Sequence, residues 1–236
     1  MIRAVTFDFW NTLLREREYS SYRIGVLTQT LNEEGSPRNR SRVEAEYSSA
    51  IEFFLEVWMK ERRHLPTTKL TEFVLGRLDV HLSTEAKDRL VKRFEEAIFT
   101  DPPPLVEDAE MVLKSLYGRC KIGLISNSGV TPGRNLRQVL EQHAILQYFW
   151  CAVFSDELGY HKPHPAIFRR AISELQVNAT EAMHVGDSPE SDISGAKAMG
   201  MKTVWFNESG RKRQTNGLAP DYEIGALSEL LEILKE

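Results

Sequence analysis

Cysteine is scarce: Cys120 and Cys151 are the only two in 236 residues. That is too few for a disulfide framework, and their spacing fits no zinc motif. Both are expected to be reduced and buried, in a cytoplasmic protein. Long hydrophobic runs are lacking too. Nothing approaches the ~18 consecutive apolar residues of a membrane-spanning helix, so no membrane association is expected. The first segment reaches an acid at Asp8, too soon for a secretory signal. There is no excess of basic charge. Thirty Lys and Arg stand against 34 Asp and Glu, a net −4, with pI ≈ 5.9. Non-specific nucleic-acid binding needs a basic surface and is not expected. No internal repeat is present. What the chain does have is 42% hydrophobic residues, enough for a substantial core. Its length suits one large domain, or one domain carrying an insertion.

Two textures alternate along the chain. Ile2 to Phe7 is short, β-branched and aromatic, and reads as a strand ending at Asp8. From Arg15 to Phe99 no strand is evident. Val43, Tyr47, Ala50, Ile51, Phe54, Leu55, Trp58 and Met59 form a helical stripe. Ala86, Leu90, Val91, Phe94, Ala97 and Ile98 form a second, and weaker helices fit Tyr22–Leu31 and Leu70–Leu78. The aromatics Phe53, Phe54, Trp58 and Phe94 read first as bundle core, with one or two lining a substrate pocket as the alternative. Asp101-Pro102-Pro103-Pro104 then breaks helix and marks a boundary and hinge. Beyond it, strands at Lys121–Ile125, Cys151–Phe154, Ala182–Val185 and Lys202–Phe206 alternate with helices at Val106–Tyr117, Pro132–Gln142, from Pro163–Pro165, Glu190–Met199 and Leu227–Lys235. The pattern is α/β: a doubly wound parallel sheet with an inserted all-helical unit. Residues 1–14 and 101–236 make the core, and 15–100 the insertion.

In such sheets ligands bind at the carboxyl ends of the strands. Asp8 ends the first strand, and Ser126 and Asn127 end the second. His161, Lys162 and His164 follow the third. Asp187 ends the fourth, with Asp192 five residues on. A carboxylate can act as nucleophile, a lysine with hydroxyls or amides can hold oxyanion charge, and further carboxylates can hold Mg²⁺. Each residue alone has a bland reading as cap, turn or solvated side chain. Four separate strand ends carrying these types in this order point to transfer of a small anionic group.

The residues that carry this chemistry resemble the haloacid dehalogenase superfamily over the whole chain, with a helical cap between its first two motifs. Phe7-Asp8-Phe9-Trp10-Asn11-Thr12-Leu13-Leu14 is similar to the first motif, Leu124-Ile125-Ser126-Asn127 to the second and Lys162-Pro163 to the third. Val185 through Ala196, including Gly186-Asp187 and Asp192, resembles the fourth. The resemblance implies a Rossmann-like core with Asp8 as nucleophile and Thr12 supporting its loop. It implies Ser126 and Asn127 against the transferred group, Trp10 as a further substrate-binding residue, and Lys162 neutralising nucleophile and substrate. Mg²⁺ would be held by Asp8, the Trp10 main-chain carbonyl and Asp187, with Asp192 as a ligand or just behind one. The implied partner is a small anionic molecule.

One position departs from the pattern. Phosphatases of the superfamily carry a second aspartate two residues after the nucleophile, as general acid and base. Here Trp10 stands there, and indole N–H neither accepts nor titrates. The 2-haloacid dehalogenases of the family also have an aromatic residue here, but lack the paired acids and need no metal. The chain is therefore dehalogenase-like at Trp10 and phosphatase-like at Asp187 and Asp192. A Mg²⁺-dependent hydrolase of small phosphorylated metabolites with good leaving groups is the first expectation. C–halogen hydrolysis of a 2-haloacid is the second, and a weakly catalytic phospho-ligand binder the third. Glu16 or Glu18 is an alternative source of the missing acid, or else a charged hinge. The cap is expected to close by bending near residues 10–16 and 99–105.

Several further residues carry two readings each. His161 and His164 are read as loop residues with substrate contact as the alternative, and His184 as a satisfied core histidine. Arg211-Lys212-Arg213 reads as a solvated loop. Arg38, Arg40 and Arg42 read as surface, or as carboxylate or phosphate clamps.

Overall fold

The computed structural model describes residues 1–212 and 219–235. Six parallel strands, β1 (Ala4–Phe7), β2 (Lys121–Ser126), β3 (Cys151–Phe154), β4 (Ala182–Gly186), β5 (Lys202–Phe206) and β6 (Tyr222–Ile224), form one sheet in the order β3-β2-β1-β4-β5-β6. The order reverses beside β1. Its Phe7 pairs with Leu124 on one side and Val185 on the other. Asp8 is the next residue out, at the topological switch point where doubly wound sheets bind ligands.

Between β1 and β2 run α1 (Ser20–Glu33), α2 (Arg40–Glu61), α3 (Thr67–Arg77) and α4 (Thr84–Glu95). The side-chain oxygens of Asn39 and Ser83 accept from Ser41 N–H and Ala86 N–H, capping α2 and α4. Leu27, Leu31, Val43, Tyr47, Leu70, Val74, Leu90 and Phe94 bury together in a core of their own. The strands that enter and leave this bundle lie side by side: Arg15 N–H donates to Pro104 O and Val106 N–H to Leu13 O, both at 2.9 Å. The Asp101–Pro104 break therefore sits against the segment after β1.

The remaining helices, α5 (Ala109–Leu116), α6 (Gly133–Gln142), α7 (Ser155–Leu158), α8 (Pro165–Leu175), α9 (Ser194–Ala198) and α10 (Leu230–Ile233), cover the sheet. Phe7, Leu113, Leu124, Leu136, Val185 and Phe206 share one apolar cluster, and Ile125, Val153, Phe168 and Leu175 another. Both faces are thus sealed, as near-continuous apolar strands require.

Differences from the sequence reading are local. The second stripe ends as α-helix at Glu95 and continues as a 3₁₀ turn, Glu96–Phe99. The expected Leu227–Lys235 helix is a 3₁₀ turn and one short α segment, Leu230–Ile233. The three-residue β6 and four-residue α7 are too short to leave a periodic signal. Both cysteines are free, but only Cys151 is buried and Cys120 is partly exposed. Phe94 is bundle core as expected, whereas Phe53 is 39% exposed and stacks on Phe73.

Candidate active site

The loop after β1 turns sharply. Leu13 and Leu14 N–H both donate to Phe9 O, and Asn11 takes a left-handed conformation, φ 54°, that asparagine tolerates better than most residues. The turn brings Thr12 Oγ1 to 3.5 Å from Asp8 Oδ2. Asp8 N–H is anchored to Val185 O at 2.9 Å, fixing the carboxylate at the mouth of the sheet.

Lys162 comes from the loop before α8 and is only 2% exposed. Its ammonium donates to Asp8 Oδ1, to Asp192 Oδ1 at 2.7 Å and to Ile125 O at 2.8 Å. All three of its donors are used. Asn127 Oδ1 accepts from Lys162 N–H at 2.8 Å, so this side chain places the lysine loop rather than standing free. Ser126 Oγ is buried and reaches only Asn127 O, at 3.4 Å.

After β4 the chain makes a single π turn, Pro189–Ile193, a device often found at functional sites. It returns Asp192 beneath the end of β4. A Cβ on Gly186 would lie 2.3 Å from Asp192 Cγ, so only glycine permits this approach. Asp192 Oδ1 accepts from Lys162 and from His184 Nε2 at 3.1 Å, and Oδ2 from Ser188 N–H at 3.0 Å. The other ring nitrogen of His184 faces Thr6 Oγ1 at 2.9 Å. His184 is the satisfied buried histidine expected, and it also holds Asp192 in place.

Asp8, Asp187 and Asp192 each offer an oxygen within 4.8 Å of the others. Among the described residues no other set of three histidine, cysteine or acid groups comes together in this way. Burial opposes ionisation of Asp192, but Lys162 and His184 outweigh it and hold this group well below the usual carboxylate range. Asp8 is pushed up to about 8 by burial, against the pull of Lys162 and with Asp192 and Asp187 adding to the rise. Asp187 is pushed up to about 6 by burial and by Asp192. One buried ammonium is shared by two carboxylates, and Asp192 takes most of it. An oxygen-rich set with uncompensated negative charge fits a hard divalent cation such as Mg²⁺.

Arg211 was expected in a solvated loop. Instead its Nη2 donates to Asp187 O at 2.6 Å and lies 3.5 Å from Asp187 Oδ2. Trp205 Nε1 donates to the same carbonyl. The fold brings Trp205 to Asp187 from within β5 and Arg211 from beyond it, which no local pattern signals; Arg213 lies outside the described residues. Trp10 is half-buried and meets Phe9 edge-on at 4.7 Å. Glu16 is tied to Asn11 and Glu18 to Ser20 N–H, so neither carboxylate bonds Asp8. Arg38 holds the carbonyls of Leu78 and Asp79, Arg40 pairs with Glu44, and Arg42 meets Arg77 O. All three serve the bundle, in line with the surface reading. His164 caps α8.

The helical bundle meets the site through the segment after α2. His64 N–H donates to Gly159 O and His161 N–H to Arg62 O, both at 3.0 Å. His161 stacks on two rings, Trp58 at 4.6 Å and His64 at 5.3 Å between centroids. Burial, with His64 and Lys162 nearby, pushes its pKa down to about 3, so the ring is neutral. A cavity of about 640 Å³ lies at the amino ends of β1 and β2, beside Ile2, Lys121 and Trp150, away from the carboxylates.

The family model for haloacid dehalogenase-like hydrolases matches residues 2–200. The chain belongs to the haloacid dehalogenase-like hydrolases. It is 27% identical over 206 residues to a glyceraldehyde 3-phosphate phosphatase of Pyrococcus abyssi, covering 87% of this chain and 82% of that one. A solved 2-haloacid dehalogenase from Pseudomonas syringae pv. Tomato superposes with TM-score 0.75 at 28% identity, over 100% of this chain and 99% of that one. A phosphatase of the same superfamily from Thermococcus onnurineus gives 0.68 at 28% identity, over 99% and 98%. This hydrolase is thus similar to members with either activity, and no described helix is long and apolar enough to cross a membrane.

Proposed function

We propose that this hydrolase is a Mg²⁺-dependent phosphatase of small phosphorylated metabolites with good leaving groups. The observation that carries the reading is the trio Asp8, Asp187 and Asp192, whose oxygens lie within 4.8 Å and whose charge a single buried lysine does not balance. Asp8, the Trp10 carbonyl and Asp187 would hold the ion. Asp192, already engaged by Lys162, His184 and Ser188, supports it from behind. When bound, Mg²⁺ cancels the repulsion between Asp8 and an incoming phosphate.

Asp8 attacks phosphorus, and the bond from phosphorus to the leaving oxygen breaks with its electron pair on that oxygen. Water then attacks phosphorus and the Asp8 oxygen leaves. Lys162 holds Asp8 and meets the charge that builds on the phosphoryl oxygens. Ser126 binds that group, while Asn127 fixes the lysine loop and Thr12 supports Asp8. No acid stands at Trp10, so leaving groups of low pKa are favoured. Residues 15–100 act as a cap over the core of 1–14 and 101–236, bending where Arg15 meets Pro104.

The second reading is C–halogen hydrolysis, favoured by Trp10 and by the similarity to the Pseudomonas dehalogenase. Phosphate release from p-nitrophenyl phosphate and halide release from 2-chloropropionate separate the two. Phosphate release that needs Mg²⁺ and is lost in Asp8→Asn supports the phosphatase. Halide release without metal supports the dehalogenase.

A further inference from the structure

The peptide unit between Asp187 and Ser188 is engaged at both ends. Its carbonyl oxygen, Asp187 O, accepts from Trp205 Nε1 at 3.0 Å and from Arg211 Nη2 at 2.6 Å. Its N–H, on Ser188, donates to Asp192 Oδ2 at 3.0 Å. One amide thus joins two of the three clustered acids. Both donors to the carbonyl are themselves fixed. Trp205 is only 2% exposed and pairs with Gly186 across β4 and β5, beside the next residue, Asp187. Arg211 hangs on the buried Asn207. The Asn207 Oδ1 accepts from Arg211 N–H at 2.8 Å, and its Nδ2 donates to Arg211 O at 3.0 Å and to Glu223 Oε1 at 2.6 Å. Gly210, left-handed at φ 63°, closes the turn between them, its N–H donating to Asn207 O at 3.0 Å.

We propose that Trp205 and Arg211 are positioning residues for the cation: they lock the Asp187–Ser188 peptide and so set how Asp187 and Asp192 face each other. This rests on the Mg²⁺ reading of the acid cluster. Two donors on one carbonyl leave that peptide plane little freedom to rotate. They also draw electron density toward the oxygen, which strengthens Ser188 N–H as a donor to Asp192. Mg²⁺ demands near-ideal octahedral geometry, so its carboxylates must be held in place before it binds. Hydrogen bonds that orient metal ligands from behind are typically worth about 10–100-fold in affinity. Arg211 also lies 3.5 Å from Asp187 Oδ2, where its charge competes with a cation. Its side chain is 51% exposed, so solvent screens that charge, and the shorter bond to the main chain dominates.

Two variants test the clamp. Trp205→Phe keeps an aromatic ring and removes the N–H; Arg211→Ala removes the other donor together with its charge. Calorimetric titration of Mg²⁺ into the intact protein should show affinity lowered about tenfold or more in each. Amide exchange at Ser188, followed by NMR without metal, should quicken about fivefold, the worth of one hydrogen bond. Amides of α3, in the helical insertion, should keep their rates, which separates the clamp from a general loss of stability. If Trp205→Phe does not fold, Arg211→Ala, altered at an exposed side chain, carries the test alone. Unchanged Mg²⁺ affinity in Trp205→Phe, or tighter binding in Arg211→Ala, would show that Arg211 acts only as a competing charge and would overturn the proposal. Unchanged Ser188 exchange in both variants would overturn it too. If Ser188 exchange quickens but the unaltered protein binds no Mg²⁺, the clamp on the peptide stands and the metal reading falls.

Discussion

Lys162 Nζ lies 2.7 Å from Asp192 Oδ1, in a pair only 2% and 1% exposed, while the same ammonium contacts Asp8. A buried charge stripped of its partner costs about 3–5 kcal/mol. Lys162→Met removes the one cation that two buried carboxylates share. For a chain of this size about 1 kcal/mol moves Tm by about 2–4 °C. Thermal unfolding without metal should show Tm lowered by roughly 6–20 °C. An unchanged Tm would mean that the two acids are already protonated.

Gly186 offers a test of opposite signs. Gly186→Ala forces a Cβ to within 2.3 Å of Asp192 Cγ and should displace the π turn, lowering stability by at least about 2 kcal/mol, as overpacking does. Gly76→Ala, in α3 with nothing within 4 Å, should raise stability by about 0.8–1 kcal/mol through helix propensity. Denaturant unfolding of the two variants measures both.

Asp8 and Asp187, raised to about 8 and about 6 from 3.8, set a pH dependence. A carboxyl with a raised folded pKa adds stability below its unfolded pKa and loses it as pH rises through the folded value. The metal-free protein should therefore lose stability between about pH 4 and pH 8 from these groups. Mg²⁺ binds their ionised forms, so its affinity should rise over the same window. The Tm gain on adding Mg²⁺ should be larger at pH 8 than at pH 5.5; equal gains would contradict the site.

Trp10→Asp restores a titrating group beside Asp8. General acid–base help is worth about 10²–10⁴-fold, and it matters most for poor leaving groups. Hydrolysis of alkyl phosphates should rise toward that range while p-nitrophenyl phosphate changes little. Equal effects on both substrates would show that the indole shapes the pocket rather than merely occupying the acid's place.

Much of this arrangement was legible from strand ends. Asp8, Ser126 and Asp187 follow β-branched or apolar runs, Lys162 lies in the connection after the third strand, and a parallel sheet gathers such positions at one edge. The alternation of textures likewise gave the sheet and the helical insertion. Three things were not legible. Arg211 reaches Asp187 through the loop beyond β5, which lies beside β4, a contact that no local spacing announces. Asn127 reads as a substrate ligand by position, yet its Oδ1 holds Lys162 N–H, a use set by loop geometry. The Trp58–His161–His64 stack joins residues about a hundred positions apart, and helical periodicity alone assigns Trp58 to the bundle core.

The central claim is that Asp8 attacks phosphorus. It is tested most directly by the stereochemistry at phosphorus when p-nitrophenyl phosphate made chiral with oxygen isotopes is hydrolysed. The account predicts overall retention, because Asp8 and then water each displace in line. Inversion would mean a single direct attack by water and would contradict it.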